Sequence, residues 1–259
     1  MLNTTIGQLL LIVFSFLLVI VFSGKKVFAS QPEPEFPPRI FIVGDSTACN
    51  YPQSQAPRAG WGQILQEFFA DEVEVVNAAA SGRSSKSFIA EQRLEKVLSS
   101  IEPGDYLFIQ FGHNDQKPEV ERHTDPFTTY QEYLSIYING AREKGAIPIL
   151  LTPVNRRNFD ANGKLKLTHG DYPAAMIQLG EKLNVPVIDI GAKSQVLFEQ
   201  WGPEGTKRLF LWLKPGEHTN YPQGVEDNTH FCETGAREVA KLVVEGIREL
   251  DLPLASYLK

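Results

Sequence analysis

Cations are the minority charge in this chain. Its 25 Lys and Arg stand against 31 Asp and Glu, a net charge of −6, which argues against nucleic acid as a partner. Histidine is sparse as well: apart from His230, the chain has His113, His123, His169 and His218, and none has metal-ligand spacing. No metal and no other cofactor is implied. His113 reads as a group shaping the loop around Asn114, and His123, His169 and His218 read as surface or loop histidines. There is no internal repeat and no sign of a second domain. With 259 residues and 42% hydrophobic content, the chain is long enough for one α/β domain with a substantial core.

Long apolar runs are also scarce. Leu9 to Phe22 is almost unbroken but short for a comfortable membrane span, and Val27-Phe28-Ala29 follows it with a small-residue pattern suited to cleavage. Residues 1–29 therefore read as a signal peptide of a secreted, extracellular protein. No positive residue precedes the run, and Lys25 and Lys26 follow it, so an uncleaved N-terminal anchor facing outside is the alternative. A membrane is a partner only in that case. Residues 30–38, rich in Pro and Glu, form a stiff extended linker, and the folded domain spans 39–259.

From Arg39 onward strands and helices alternate. Ile40 to Val43, Val73 to Val76, Tyr106 to Phe111, Ile147 to Leu151 and Val185 to Ile188 are short and apolar, as strands buried on both faces are. Between and after them, Tyr130, Tyr133, Leu134, Tyr137, Ile138 and Ala141 recur with helical spacing, as do Ala236, Val239, Ala240, Val243, Val244, Ile247 and Leu250. The pattern predicts a three-layer α/β/α sandwich with a central, mostly parallel five-stranded sheet and functional loops at its carboxyl edge.

The chemistry sits at the ends of those runs. Gly44-Asp45-Ser46-Thr47 closes the first strand, and Asp227-Asn228-Thr229-His230 lies near the other end of the chain. Together they hold what acyl transfer by serine requires: an attacking oxygen, an imidazole that takes its proton, and a carboxylate that fixes the imidazole tautomer. Each piece has a plainer reading. Asp45 and Ser46 are good helix caps, and Asp227 with His230 is a spacing that surface loops produce by chance. Two further blocks, Asn77 to Ser85 and Ile109 to Asp115, end strands at the same edge, and the first places Gly82 where a backbone N–H can approach a substrate.

The four blocks resemble the SGNH (GDSL-type) hydrolases, whose signature Ser, Gly, Asn and His fall here on Ser46, Gly82, Asn114 and His230. Gly60-Trp61-Gly62, Ala80 to Ser85, Gln110 to Asp115 and Thr152-Pro153-Val154 are similar to the rhamnogalacturonan acetylesterase branch of that family. The resemblance implies Ser46, His230 and Asp227 as a catalytic triad. It also implies an oxyanion hole made of the Ser46 and Gly82 N–H groups with the Asn114 amide, acting on O-acetyl groups of a plant cell-wall polysaccharide or oligosaccharide. An acetylxylan or small-molecule esterase and a catalytically silent glycan-binding domain are the alternatives. Oligomeric state is not legible.

Three questions stay open at this level. Cys49 lies three residues after Ser46 and Cys232 two after His230, so contact between Ser46 and His230 brings both sulfurs into one neighbourhood, as a disulfide or as two free thiols. Arg156 and Arg157 follow the Ile147 to Leu151 strand, where they clamp a substrate carboxylate or pair structurally. Trp61, Trp201, Trp212 and Tyr221 are core residues or platforms for sugar rings, and Tyr221 is the best placed of them.

Overall fold

Strict alternation within the apolar runs decides the architecture. Ile40 and Ile42 point to one side of the first strand and Phe41 and Val43 to the other, each joining a different cluster of buried side chains. Both faces of the sheet are therefore covered. The computed structural model describes residues 37–259; the expected signal peptide or anchor and most of the linker lie outside the described residues.

In chain order the strands are β1 (Ile40–Gly44), β2 (Arg58–Ala59), β3 (Val75–Asn77), β4 (Tyr106–Gln110), β5 (Ile147–Leu151), β6 (Val187–Ile188), β7 (Phe210–Leu213) and β8 (Val225–Cys232). The helices are α1 (Trp61–Ile64), α2 (Ser85–Ala90), α3 (Arg93–Leu98), α4 (Gln131–Glu143), α5 (Tyr172–Leu183), α6 (Ile190–Gly205) and α7 (Glu233–Glu249). Five strands form an all-parallel sheet in the order β3-β1-β4-β5-β6. Helices α1, α6 and α7 contribute to the core on one face, and α2, α3, α4 and α5 to the core on the other. The expected sandwich is the fold observed.

The helices follow from their own sequences. Ala236, Val239, Ala240, Val243, Val244 and Ile247 fall on one stripe of α7 and are all buried, with Glu233 in the first turn and Arg248 in the last complementing the helix dipole. Ser84 caps α2 through a reciprocal bond with Ser87, and Asn184 ends α5 in the left-handed conformation. Helix α6 is kinked at Gly202 and Pro203.

Two strand boundaries differ from expectation. Pairing begins at Val75 rather than Val73, because Val73 closes a turn on Ala70 and is buried beneath the sheet edge. At the opposite edge only Val187 and Ile188 pair, since the chain is still leaving α5 at Val185. The larger departure is a second sheet, three-stranded and antiparallel in the order β2-β8-β7. It turns the segment around Asp227 and His230, expected as a loop, into a strand. Among the described residues no helix is long and apolar enough to cross a membrane.

Candidate active site

Strand β1 ends in a tight turn: the amides of Ala48 and Cys49 both donate to the Asp45 carbonyl, at 3.2 and 3.1 Å. The capping reading of Asp45 holds in a local form, since its Oδ1 accepts from the Thr47 amide and hydroxyl at 2.9 and 2.8 Å. Thr47 in turn accepts from Gln110 Nε2, and Gln110 Oε1 accepts from the Trp61 indole. This buried polar chain fixes the turn that presents Ser46. Trp61 is thereby a core residue and not a sugar platform.

The antiparallel ribbon delivers the other half. His230 Nε2 lies 2.9 Å from Ser46 Oγ, and His230 Nδ1 lies 2.7 Å from Asp227 Oδ2. Asp227 Oδ1 also accepts the backbone N–H groups of Thr229 and His230, at 2.8 and 3.0 Å. With Nδ1–H donating to the carboxylate, Nε2 turns its lone pair to the serine hydroxyl. Burial works to raise the Asp227 pKa, but the bond from the His230 ring, its field and the two backbone donors outweigh that and hold it at about 2. The base is thus oriented by a permanently ionised acid near neutral pH.

Strands β3 and β4, the parallel neighbours of β1, end at the same edge of the sheet in two cross-linked loops. Gly82 adopts φ +79°, and a Cβ there would meet no atom within 4 Å, so its backbone lies open to an approaching ligand. Asn114 Nδ2 donates one hydrogen to the Arg83 carbonyl at 3.0 Å, which leaves the second free. Gly112, at φ +144°, packs against Pro153, where any Cβ would come within 2.8 Å of that ring. Asp115 then ties the loops together by accepting from the Ser85 amide and hydroxyl and from Thr124 Oγ1. Complete burial pushes the Asp115 carboxyl up to about 7 despite these donors. Serine, imidazole, carboxylate, an open glycine N–H and a free amide hydrogen are the elements of acyl transfer.

Residues 40–243 match the family of GDSL-like Lipase/Acylhydrolase proteins. The chain belongs to that family. It is a hydrolase of carboxylic esters, of the rhamnogalacturonan acetylesterase-like type. It is 54% identical over 222 residues to the rhamnogalacturonan acetylesterase RhgT of Bacillus subtilis, an alignment that covers 86% of this chain and 94% of that protein. With the probable rhamnogalacturonan acetylesterase YesY of the same organism it shares 45% identity over 220 residues, covering 85% and 96%. The crystal structure of Bacillus subtilis YxiM superposes with a TM-score of 0.72 at 30% identity, over 84% of this chain and 58% of that one.

Other residues of the hydrolase stand differently from their sequence readings. Arg156 and Arg157 do not form a free clamp, because both are drawn into protein contacts. Arg156 donates to Thr168 Oγ1 and to the His113 carbonyl, at 2.9 and 3.3 Å. Arg157 reaches the Pro203 carbonyl and Asn228 Oδ1, at 2.6 and 3.0 Å, with its guanidinium 4.7 Å from the Trp212 ring centre. Tyr221 spends its hydroxyl on the Gln55 carbonyl, 3.0 Å away, and so ties its loop to the turn at Gln53–Gln55. Trp212 donates to Asn228 Oδ1, whereas Trp201 is exposed.

Cys49 and Cys232 are free thiols, not a disulfide. The Ser46 turn folds Cys49 back beneath itself, its Sγ 3.9 Å from the Ser46 carbonyl, while Cys232 faces the Arg208 carbonyl at 3.1 Å. His169, expected at the surface, is buried: its Nε2 is 2.9 Å from the Val154 carbonyl and its ring lies edge-on to His113. His113 itself stands 3.2 Å from Asp45 Oδ2 under the nucleophile turn. Burial lowers the pKa of that imidazole, and for Asp45 the opposing effect of desolvation is outweighed by His113 and the Thr47 donors, which draw its carboxyl below the usual range.

Sequence reading missed Tyr51, whose hydroxyl donates to the Ser46 carbonyl at 2.7 Å, and the clasp of Arg157, Asn228 and Trp212 on the histidine strand. Asn228 was legible inside the Asp227 to His230 block. Nothing local marked Tyr51, and nothing in the sequence marked Trp212 as a partner of Asn228.

Proposed function

We propose that this hydrolase removes O-acetyl groups from an acetylated plant cell-wall polysaccharide, rhamnogalacturonan, outside the cell. The observation that carries the mechanism is the continuous hydrogen-bonded line from Asp227 through His230 to Ser46, 2.7 and 2.9 Å long in its two links. Ser46 Oγ attacks the acetyl carbonyl as its proton passes to His230 Nε2. The oxyanion is met by the N–H groups of Ser46 and Gly82 and by the free hydrogen of Asn114 Nδ2, and one such donor is worth ~3 to 4 kcal/mol in the transition state. His230 then passes that proton to the departing sugar oxygen, which leaves as a hydroxyl as its bond to the acetyl carbon breaks. Water, deprotonated by the same imidazole, attacks the acetyl-enzyme, and acetate leaves.

The substrate reading is supported by the names of RhgT and YesY and by the length over which they align. Export is supported by the apolar run Leu9 to Phe22 with Val27-Phe28-Ala29 after it. Acetate release from acetylated rhamnogalacturonan and acetylated xylan, measured side by side, tests the substrate; a preference for xylan overturns it. N-terminal sequencing of protein recovered from culture medium tests export, expecting a mature chain that starts near Ser30. Full-length protein retained in the membrane fraction would make the segment an anchor.

A further inference from the structure

With Arg156 and Arg157 occupied, the charge that would hold an acidic polymer must come from elsewhere, because a protein of net charge −6 repels a polyanion in bulk. Arg58 differs from the other arginines. Arg39, Arg83, Arg93, Arg122 and Arg237 pair with carboxylates. Half-buried Arg58 meets no carboxylate and no hydrogen-bond acceptor among the described residues; its Nε, like that of Arg157, is buried without a partner, but Arg157 bonds through both of its terminal nitrogens and Arg58 through neither. Arg208 and Arg248 are exposed, so water serves them. An unmatched guanidinium taken partly out of water carries a cost that an arriving anion removes.

Its position is set by two independent contacts. In the small sheet Arg58 pairs directly with Cys232, and His230 lies two residues along the same strand, so the three side chains project from one face while Ala59 and Phe231 enter the core. Residues two apart on a strand are ~7 Å apart, which is comparable to one sugar residue. On its other side the Arg58 guanidinium stacks 4.3 Å from the centre of the Tyr51 ring, and the Tyr51 hydroxyl bonds the Ser46 carbonyl. The stack fixes the planar cation and leaves its edge donors for a bidentate acceptor.

Resting on the rhamnogalacturonan reading above, we propose that Arg58 is a specificity-determining residue that binds the carboxylate of an acidic sugar unit next to the acetylated one. Loss of a charge-assisted bond of this kind corresponds to about tenfold to hundredfold in kcat/KM.

The test compares acetylated rhamnogalacturonan with the same polymer after its uronate carboxyls are reduced to alcohols. Wild-type enzyme should favour the native polymer about tenfold or more in kcat/KM, Arg58→Lys should keep part of that preference, and Arg58→Gln should abolish it. Added salt should erode the wild-type preference and leave Arg58→Gln unmoved. Equal wild-type rates on both polymers, which need no variant to measure, overturn the inference, as does an Arg58→Gln enzyme with the preference intact. Both of those outcomes leave the rhamnogalacturonan reading standing. Wild-type activity confined to acetylated xylan would remove that reading and this inference with it.

Discussion

Serine and histidine meet here from two unlike sheets. Ser46 leaves β1, whose five residues are all buried between helical layers, and its turn is braced from below by Asp45, Thr47, Gln110 and Trp61. His230 stands on β8, where Phe231 is the single buried residue of eight. Pairing with β2 and β7 sets the register of that strand, and a set of polar clasps is added to it: the Arg157 amide on the Asn228 carbonyl, and Arg157 and Trp212 together on Asn228 Oδ1. The nucleophile is positioned by burial and the base by a few directed bonds. Burial is spread over many contacts, whereas a clasp can be cut by one substitution.

Cutting the line where the two regions join has the largest effect. Ser46→Ala and His230→Ala should each lower kcat by ~10⁶-fold, with the double variant no worse and Asp227→Ala costing less, ~10⁴-fold, because the members act as a unit. Acetate release by variants whose circular dichroism is native measures this; a Ser46→Ala enzyme near the wild-type rate would sink the serine mechanism. Next comes Asn114→Ala, expected to reduce kcat ~10²- to 10³-fold with KM little changed. A change in KM alone would move Asn114 from oxyanion to ground-state binding.

Arg157→Gln probes the clasp itself. Losing a charge-assisted bond to Asn228 should lower kcat about tenfold and speed hydrogen exchange along β8 while leaving β1 protected. Equal acceleration in both strands would show that the two regions are held by the same means. The thiols report on the same contrast more gently. Unfolded, unreduced protein should titrate two thiols; in the native protein half-buried Cys232 should react before buried Cys49. A single slow class of native thiol would contradict the difference in access.

The smallest effect concerns acid. Because the Asp227 pKa is depressed to about 2 in the fold, its contribution to stability is complete above ~4 and disappears as pH falls through about 2. Denaturant unfolding between those values should show a steeper acid loss for wild type than for Asp227→Asn. Parallel slopes would mean that the carboxylate is no better stabilised in the fold than in the open chain.

The two regions also differ in how far they could be read beforehand. The parallel sheet was legible because strands buried on both faces must be apolar at every position, and β1, β4 and β5 appeared with boundaries right to within one residue. The antiparallel ribbon was not, since β8 alternates half-exposed polar residues and carries no such run. Ser46, Gly82, Asn114, Asp227 and His230 were nameable from their blocks, as acyl transfer constrains residue type and local spacing.

The sequence alone therefore determined the family, the sandwich and the candidate side chains for the chemistry, all of which rest on periodicity and short-range motifs. Tertiary structure decided what long-range contacts decide. It brought His230 to Ser46 across 184 residues of chain and turned the two cysteines to separate acceptors. It also drew the guanidinium groups of Arg156 and Arg157 into protein hydrogen bonds while leaving that of Arg58 with none among the described residues. An arginine looks the same in a sequence whether or not an acceptor lies beside it; only packing sets that neighbour, and with it whether the charge is left for a ligand.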